Sequence, residues 1–162
     1  MKLDITEQML FALLRSALHG THADATIFAG ITSEAWQECY RLSVRQGVMA
    51  LAWDGLITLP TELQPPKSLK INWWLAVERC EKRYRYYCRV ISDLSTFYAT
   101  HGITAVQLKG VGFANNYPIP SHREGGDIDI FTYSADSSGL SDREANSLAD
   151  KLMRGRGIKV FR

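Results

Sequence analysis

The sequence lacks the features of a membrane protein or of a disulfide-bonded secreted one. No apolar run approaches the ~18 residues of a membrane span, and the first run, Met9–Leu14, follows Asp4 and Glu7, which makes a poor secretory signal. The cysteines are three in number, contain no C-x-x-C pair and form no zinc-ligand spacing with the histidines. We therefore expect a cytoplasmic protein with free thiols and no membrane partner.

Composition and charge indicate an ordinary globular chain. Of 162 residues, 46% are hydrophobic and 22% are charged, which excludes wholesale disorder. A chain of this length buries enough surface to fold without a disulfide or metal. The net charge of +2 does not by itself require a nucleic-acid partner, although a local basic cluster still allows one.

The first hundred residues have the pattern of a helical region. We predict a helix capped by Thr6 and ended by Gly20, a second capped by Ser33 and reaching Arg45, and a third at Val48–Leu56. Three prolines, at positions 60, 65 and 66, then mark a loop.

A long helix is predicted from residue 69 to residue 99, because this stretch contains neither proline nor glycine. Its apolar residues recur at alternating steps of four and three, as in a heptad seam: Trp73, Val77, Cys80, Tyr84, Tyr87, Ile91, Leu94 and Tyr98. We expect the seam to pack on the earlier helices; the alternative is a helical interaction protein that dimerises through it. The interleaved basic residues either solvate the helix or contact RNA or a nucleotide: Arg79, Lys82, Arg83, Arg85 and Arg89.

The last sixty residues alternate between strands and helices. The predicted elements are the strands Ile103–Leu108, Asp127–Thr132 and Ile158–Phe161 and the helices Val111–Asn115 and Leu140–Arg154, the second capped by Ser141. The predicted fold class is therefore α+β, with a helical region at 1–100 and a second domain with flanking helices at 101–162.

Two carboxylates at alternate positions form the first candidate site. Asp127 and Asp129 share one face of the predicted strand, roughly 6–7 Å apart along the backbone. Their repulsion is relieved when a cation lies between them, and Mg²⁺ or Mn²⁺ suits oxygen ligands when substrate phosphates complete its shell. The alternative is a solvated strand face that happens to carry two aspartates.

The second candidate site is the turn at Lys109–Gly110, between a predicted strand and a predicted helix. A glycine there lets an anion approach the backbone, and the lysine adds a positive charge. An ordinary strand-to-helix turn is the alternative, since the chain carries neither a Walker motif nor a dinucleotide fingerprint.

The two sites occur together in an order typical of one superfamily. Leu108-Lys109-Gly110, Tyr117-Pro118, Pro120, Arg123 and Gly126-Asp127-Ile128-Asp129 follow one another, after a helical lead-in at Leu42–Val48. This segment resembles the nucleotidyltransferase superfamily typified by DNA polymerase beta, in particular a branch of uncharacterised bacterial nucleotidyltransferases. The resemblance implies a partial, mixed nucleotidyltransferase-like sheet in the second domain.

The resemblance also implies roles for five residues. Asp127 and Asp129 would be the catalytic Mg²⁺ ligands, and Lys109 and Gly110 the phosphate-binding turn of a nucleoside triphosphate site. Arg123 would contact a phosphate or the substrate, or else form a structural salt bridge to Glu124 or an aspartate. The implied reaction transfers a nucleoside monophosphate to an unidentified hydroxyl.

One departure from the superfamily pattern bears on catalysis. The superfamily uses a third carboxylate on a later strand, whereas the predicted strand Ile158–Phe161 carries no acid. Members of the branch continue further, so we expect an amino-terminal portion or a natural truncation. The alternative function is a non-catalytic binding or regulatory module with a nucleotidyltransferase fold.

Overall fold

The computed structural model describes residues 3–135 and 138–158, and its fold class is α+β, as predicted. Helices dominate the amino-terminal part, and the described sheet has two antiparallel strands. In chain order the elements are α1 (Ile5–His19), α2 (Ala25–Phe28), α3 (Ser33–Arg45), α4 (Met49–Leu56), α5 (Lys67–Ala99), β1 (Ile103–Gln107), α6 (Val111–Ala114), β2 (Ile130–Ser134) and α7 (Asp142–Gly155), with single 3-10 turns at Thr61–Leu63 and Pro120–His122.

The chain forms two compact units that are interleaved in sequence. The helical unit comprises Met1–Arg85 and Phe113–Gly126, and the sheet unit comprises Tyr86–Gly112 and Asp127–Arg162. Helix α5 thus supplies its first part to one unit and its last part to the other. The expected division into domains at 1–100 and 101–162 stays a prediction.

Two helices of the helical unit begin one or two residues earlier than predicted. Asp4, not Thr6, caps α1: its Oδ1 accepts from Glu7 N at 2.8 Å, and Glu7 Oε2 accepts from Asp4 N at 3.0 Å. Thr32, not Ser33, caps α3. The reciprocal Asp–Glu pair satisfies two amides where Thr6 would satisfy one, which explains the first error.

The core of the helical unit is centred on Trp73 of α5. This side chain is fully buried, and its Nε1 donates to the carbonyl of Met49 at 3.0 Å, so the indole brings no unpaired donor into the core. Helices α1 and α4 touch where Gly55 faces Leu13, because a Cβ at Gly55 would lie 2.1 Å from the Leu13 carbonyl oxygen. Glycine is therefore the residue that allows this close approach.

The predicted seam of α5 is buried most completely near its two ends. Trp73, Val77, Cys80 and Tyr98 are buried, whereas the seam residues between them are half-buried. The basic residues between the seam positions are exposed on the helix, consistent with a solvated face. Dimerisation through the seam stays a prediction.

The sheet unit is a two-stranded ladder covered on one face. Strands β1 and β2 pair antiparallel from Ile103↔Ser134 to Gln107↔Ile130. Helix α7, capped by Ser141 as predicted, packs Ala145, Ala149 and Met153 into the core of this unit.

Two predicted strands differ from the elements that the structure describes. Strand β2 begins at Ile130, three residues later than expected, because its partner β1 ends at Gln107 and offers no ladder to Asp127. The predicted strand Ile158–Phe161 lies outside the described residues from 159 onward. Among the helices of the described ranges, none is long and apolar enough to cross a membrane.

Candidate functional site

The turn after β1 is built around Gly110. This residue is buried and has φ +66°, a conformation that other residues adopt at a cost. A Cβ at Gly110 would lie 3.1 Å from the Asp127 carbonyl oxygen and 3.2 Å from Gln107 Nε2. The backbone of the Lys109–Gly110 turn and that of Asp127 therefore lie close together, so two segments singled out by sequence meet in the sheet unit.

Asp129 lies at the end of the ladder and is held by its backbone. Its carbonyl oxygen accepts from Leu108 N at 3.0 Å, which extends the pairing one residue beyond Gln107↔Ile130. The side chain is 34% exposed, but its Oδ2 is buried and accepts no hydrogen bond within the part of the chain described.

Lys109 is the charged neighbour of that buried oxygen. Its Nζ lies 3.1 Å from Asp129 Oδ2, although the lysine is exposed and the contact lacks hydrogen-bond geometry. Such a pair contributes at most about 1 kcal/mol. A carboxylate oxygen that is buried yet bonded so weakly retains its capacity to bind a cation or a donor.

Asp127 differs from Asp129 in being exposed and outside the ladder. Together they offer two carboxylates, which fits Mg²⁺ or Mn²⁺ when substrate oxygens supply the remaining ligands. Within residues 3–135 and 138–158, no group of three or more His, Cys, Asp or Glu side chains could hold a metal ion. Helix α6 is a single turn, so the helix dipole adds little to an anion site there, and Lys109 is the positive charge of the turn.

Arg123 belongs to the helical unit and is half-buried. The structure shows no ion pair between Arg123 and an acid of the described ranges. Glu124 instead accepts from the backbone amides of Met49 at 2.7 Å and Ala50 at 3.4 Å, at the start of α4. The alternative of a structural salt bridge from Arg123 to Glu124 is therefore not observed, because Glu124 instead caps the start of α4.

Next to Arg123 lies a charged cluster that sequence reasoning missed. His122 is only 5% exposed; its Nδ1 lies 2.9 and 2.8 Å from the two Asp54 oxygens, and its Nε2 lies 3.1 Å from Glu81 Oε1. Both ring nitrogens face carboxylates, which accept hydrogen bonds when ionised, so the geometry favours the doubly protonated imidazolium. Burial disfavours that charge, but the bonds to Asp54 and Glu81 outweigh it and raise the pKa of His122.

The cluster ties the loop before Asp127 to two helices of the helical unit. Asp54 is on α4 and Glu81 on α5, and the hydrogen bond from His122 lowers the pKa of Glu81. The three residues are far apart in sequence and follow no shared period. The one available signal was a histidine between Pro120 and Arg123, in the segment that carries the family pattern.

A known protein family matches the part of the chain that carries these residues. Residues 32–141 match the model of a family described as uncharacterised nucleotidyltransferase. The chain belongs to this family. The matched range contains every candidate residue above, from Asp54 to Asp129. Comparison with curated proteins and with solved structures gave no significant match.

Proposed function

We propose that the sheet unit binds a nucleoside triphosphate with Mg²⁺ or Mn²⁺ and transfers its nucleoside monophosphate to a hydroxyl acceptor. The observation that carries the proposal is the buried, weakly bonded Asp129 Oδ2, close to Lys109 in a chain of the nucleotidyltransferase family. The free thiols of Cys39, Cys80 and Cys88 fit our proposal that it acts in the cytoplasm.

The roles of the residues follow from their chemistry. Asp127 and Asp129 would hold the metal, which when bound neutralises phosphate charge and lowers the pKa of the attacking hydroxyl. Lys109 is exposed and can move from Asp129 to a phosphate, and Gly110 keeps the turn free of a side chain. A phosphate contact from Arg123 is proposed on the family pattern alone.

The proposed reaction conserves atoms as follows. The acceptor oxygen bonds to the α-phosphorus, and the bond from that phosphorus to the oxygen bridging the α- and β-phosphates breaks. The electron pair leaves with pyrophosphate, and the hydroxyl proton passes to water. The chain's own residues orient the triphosphate and stabilise its charge.

Calorimetric titration tests the proposal. We expect ATP, GTP, CTP or UTP to bind with Mg²⁺ present and to bind at least about tenfold more weakly to Asp127→Asn and Asp129→Asn, since each loses a hard charged ligand. Asp93→Asn, at an exposed acid on α5, is the matched control and should bind as the native chain does. Metal-independent binding, or equal binding by all variants, would contradict the proposal.

The second candidate is a non-catalytic binding or regulatory module, favoured by the ion pair between Lys109 and Asp129. In that case the lysine is a permanent counterion and not a phosphate ligand. Replacing it separates the two: Lys109→Gln should weaken triphosphate binding and strengthen binding of Mg²⁺ alone if the first proposal holds. Unchanged triphosphate binding in Lys109→Gln would favour the second candidate.

A further inference from the structure

The ladder of the sheet unit has one covered face and one open face. Ile103 and Thr132 are buried on the covered face, where Thr132 Oγ1 donates to Asn146 Oδ1 of α7 at 2.7 Å. Side chains alternate between faces along a strand, so Val106 and Phe131, which are paired in register, lie on the opposite face. They are 42% and 50% exposed, so the open face presents two apolar side chains to solvent.

Two aromatic rings lie side by side on the open face. Phe131 and Tyr133 are two residues apart on β2, and their rings are stacked with centroids 6.2 Å apart and an interplanar angle of 28°. We call this pair the aromatic platform. The Phe131 ring is exposed and the Tyr133 ring beside it is half-buried, so the pair presents an aromatic surface, which suits a planar partner better than it suits an irregular aliphatic one.

The platform is continuous with the candidate metal ligand. The bond from Leu108 N to Asp129 O carries the ladder through Asp129, which therefore shares the face of Phe131 and Tyr133. At the rise of a strand, the carboxylate and the two rings follow one another at steps of roughly 6–7 Å. In an extended nucleotide the phosphates lie at one end and the base at the other. Phosphates bound at Asp129 would therefore place the base near the two rings.

We propose that the aromatic platform binds the nucleobase of the triphosphate by stacking. This inference rests on the proposed function, because it takes Asp129 as the end of the site that holds the phosphates. Every base has an aromatic face, and the open face offers Phe131 and Val106 without a charged group between them. The platform therefore adds affinity for nucleotides over bare phosphates and discriminates little among ATP, GTP, CTP and UTP.

The test compares ATP with inorganic tripolyphosphate, both with Mg²⁺, by calorimetry. The native chain should bind ATP about tenfold more tightly, and Phe131→Leu should lose that difference while keeping its affinity for tripolyphosphate. Tyr133→Leu is the second variant and should reduce the difference. Tyr86→Leu, at a tyrosine on α5 that is 58% exposed, is the matched control and should keep it.

The possible failures are distinguishable. Equal affinities of the native chain for ATP and tripolyphosphate, or a native-like difference in Phe131→Leu, would overturn the platform and leave the phosphate site standing. No metal-dependent binding of either ligand would overturn the proposed function and the platform with it. A native dimer that Phe131→Leu converts to a monomer in sedimentation, with its ligand affinities unchanged, would instead assign the face to a second copy of the chain.

Discussion

Replacing His122 with leucine tests whether the buried charge cluster holds the loop before Asp127. Leucine fills a similar volume but leaves the carboxylates of Asp54 and Glu81 without their shared donor. Their side chains are only 13% and 28% exposed, so water replaces the imidazolium incompletely. We therefore expect His122→Leu to lower the free energy of unfolding of the helical unit.

The magnitude follows from the two bonds and their surroundings. A hydrogen bond to a charged group contributes about 1.5–3 kcal/mol. For the bond to Glu81 we use the lower end of this range, because Glu81 also pairs with Arg85 at 3.3 Å and is partly solvated. The variant no longer carries the desolvation cost of the buried imidazolium, which offsets part of the lost bonding. We therefore expect the free energy of unfolding to fall by about 2–3 kcal/mol, which is less than the loss on breaking a fully buried ion pair.

Tryptophan fluorescence during urea unfolding measures this loss of stability in the helical unit. All four tryptophans, Trp36, Trp53, Trp73 and Trp74, belong to the helical unit. A loss of 2 kcal/mol moves the midpoint by about 1 M urea. The exposed His19→Gln is the control, and a midpoint change in His122→Leu no larger than in that control would refute the reasoning.

The pH dependence checks that the cluster works through charge. The pKa of His122 is raised, so its contribution is complete below its ordinary pKa of about 6.5 and is lost as the pH rises through the folded value. The pKa of Glu81 is lowered, so its contribution is complete above about 4.3 and is lost as the pH falls through the folded value. The difference between native chain and His122→Leu should peak between these values; a constant difference from pH 5 to 9 would show that packing, not charge, stabilises the loop.

Two glycine substitutions give further predictions. Gly55→Ala should destabilise the helical unit by about 3 kcal/mol or more, read from tryptophan fluorescence, since its Cβ would lie 2.1 Å from the Leu13 carbonyl and overwhelm the gain in helix propensity. Gly110→Ala should cost about 1–2 kcal/mol and weaken nucleotide binding, because φ is +66° and the Cβ would press on Asp127 O. Gly155→Ala lies in the sheet unit like Gly110→Ala, and its Cβ would meet no atom within 4 Å, so it is the control for Gly110→Ala, with both read from far-UV circular dichroism. Native stability of Gly55→Ala, or equal stability of Gly110→Ala and Gly155→Ala, would contradict the packing described.

Local signals predicted much of this fold. The uninterrupted stretch before Ala99 became α5 (Lys67–Ala99), and Ser141 caps α7 as expected. The start of β2 was placed wrongly because the alternation beginning at Asp127 continues into the true strand, while the strand's start depends on where its partner β1 stops. Pairing partners are a non-local property that a period-2 pattern does not contain.

Some candidate sites have a local sequence signal, and others are formed only by the tertiary structure. Lys109–Gly110 and the Asp127–Asp129 pair are short motifs whose spacing has a local meaning, so the sequence was sufficient to single them out. The cluster of His122 joins residues on three elements, and its meaning comes from burial and from the two carboxylates around one ring. Only tertiary structure brings those groups together, so no periodic or motif signal predicted it.

The structure also makes the two aspartates unequal, which the spacing alone did not suggest. Asp129 is fixed by the bond from Leu108 to its backbone and presents a buried oxygen, whereas Asp127 is exposed and has no ladder partner. A ligand held in advance contributes affinity at a small entropic cost, while an exposed one is ordered only on binding. In the proposed site, Asp129 would therefore set the position of the metal and Asp127 would adapt to it, and the fixed ligand would share the face of the ladder that carries Phe131.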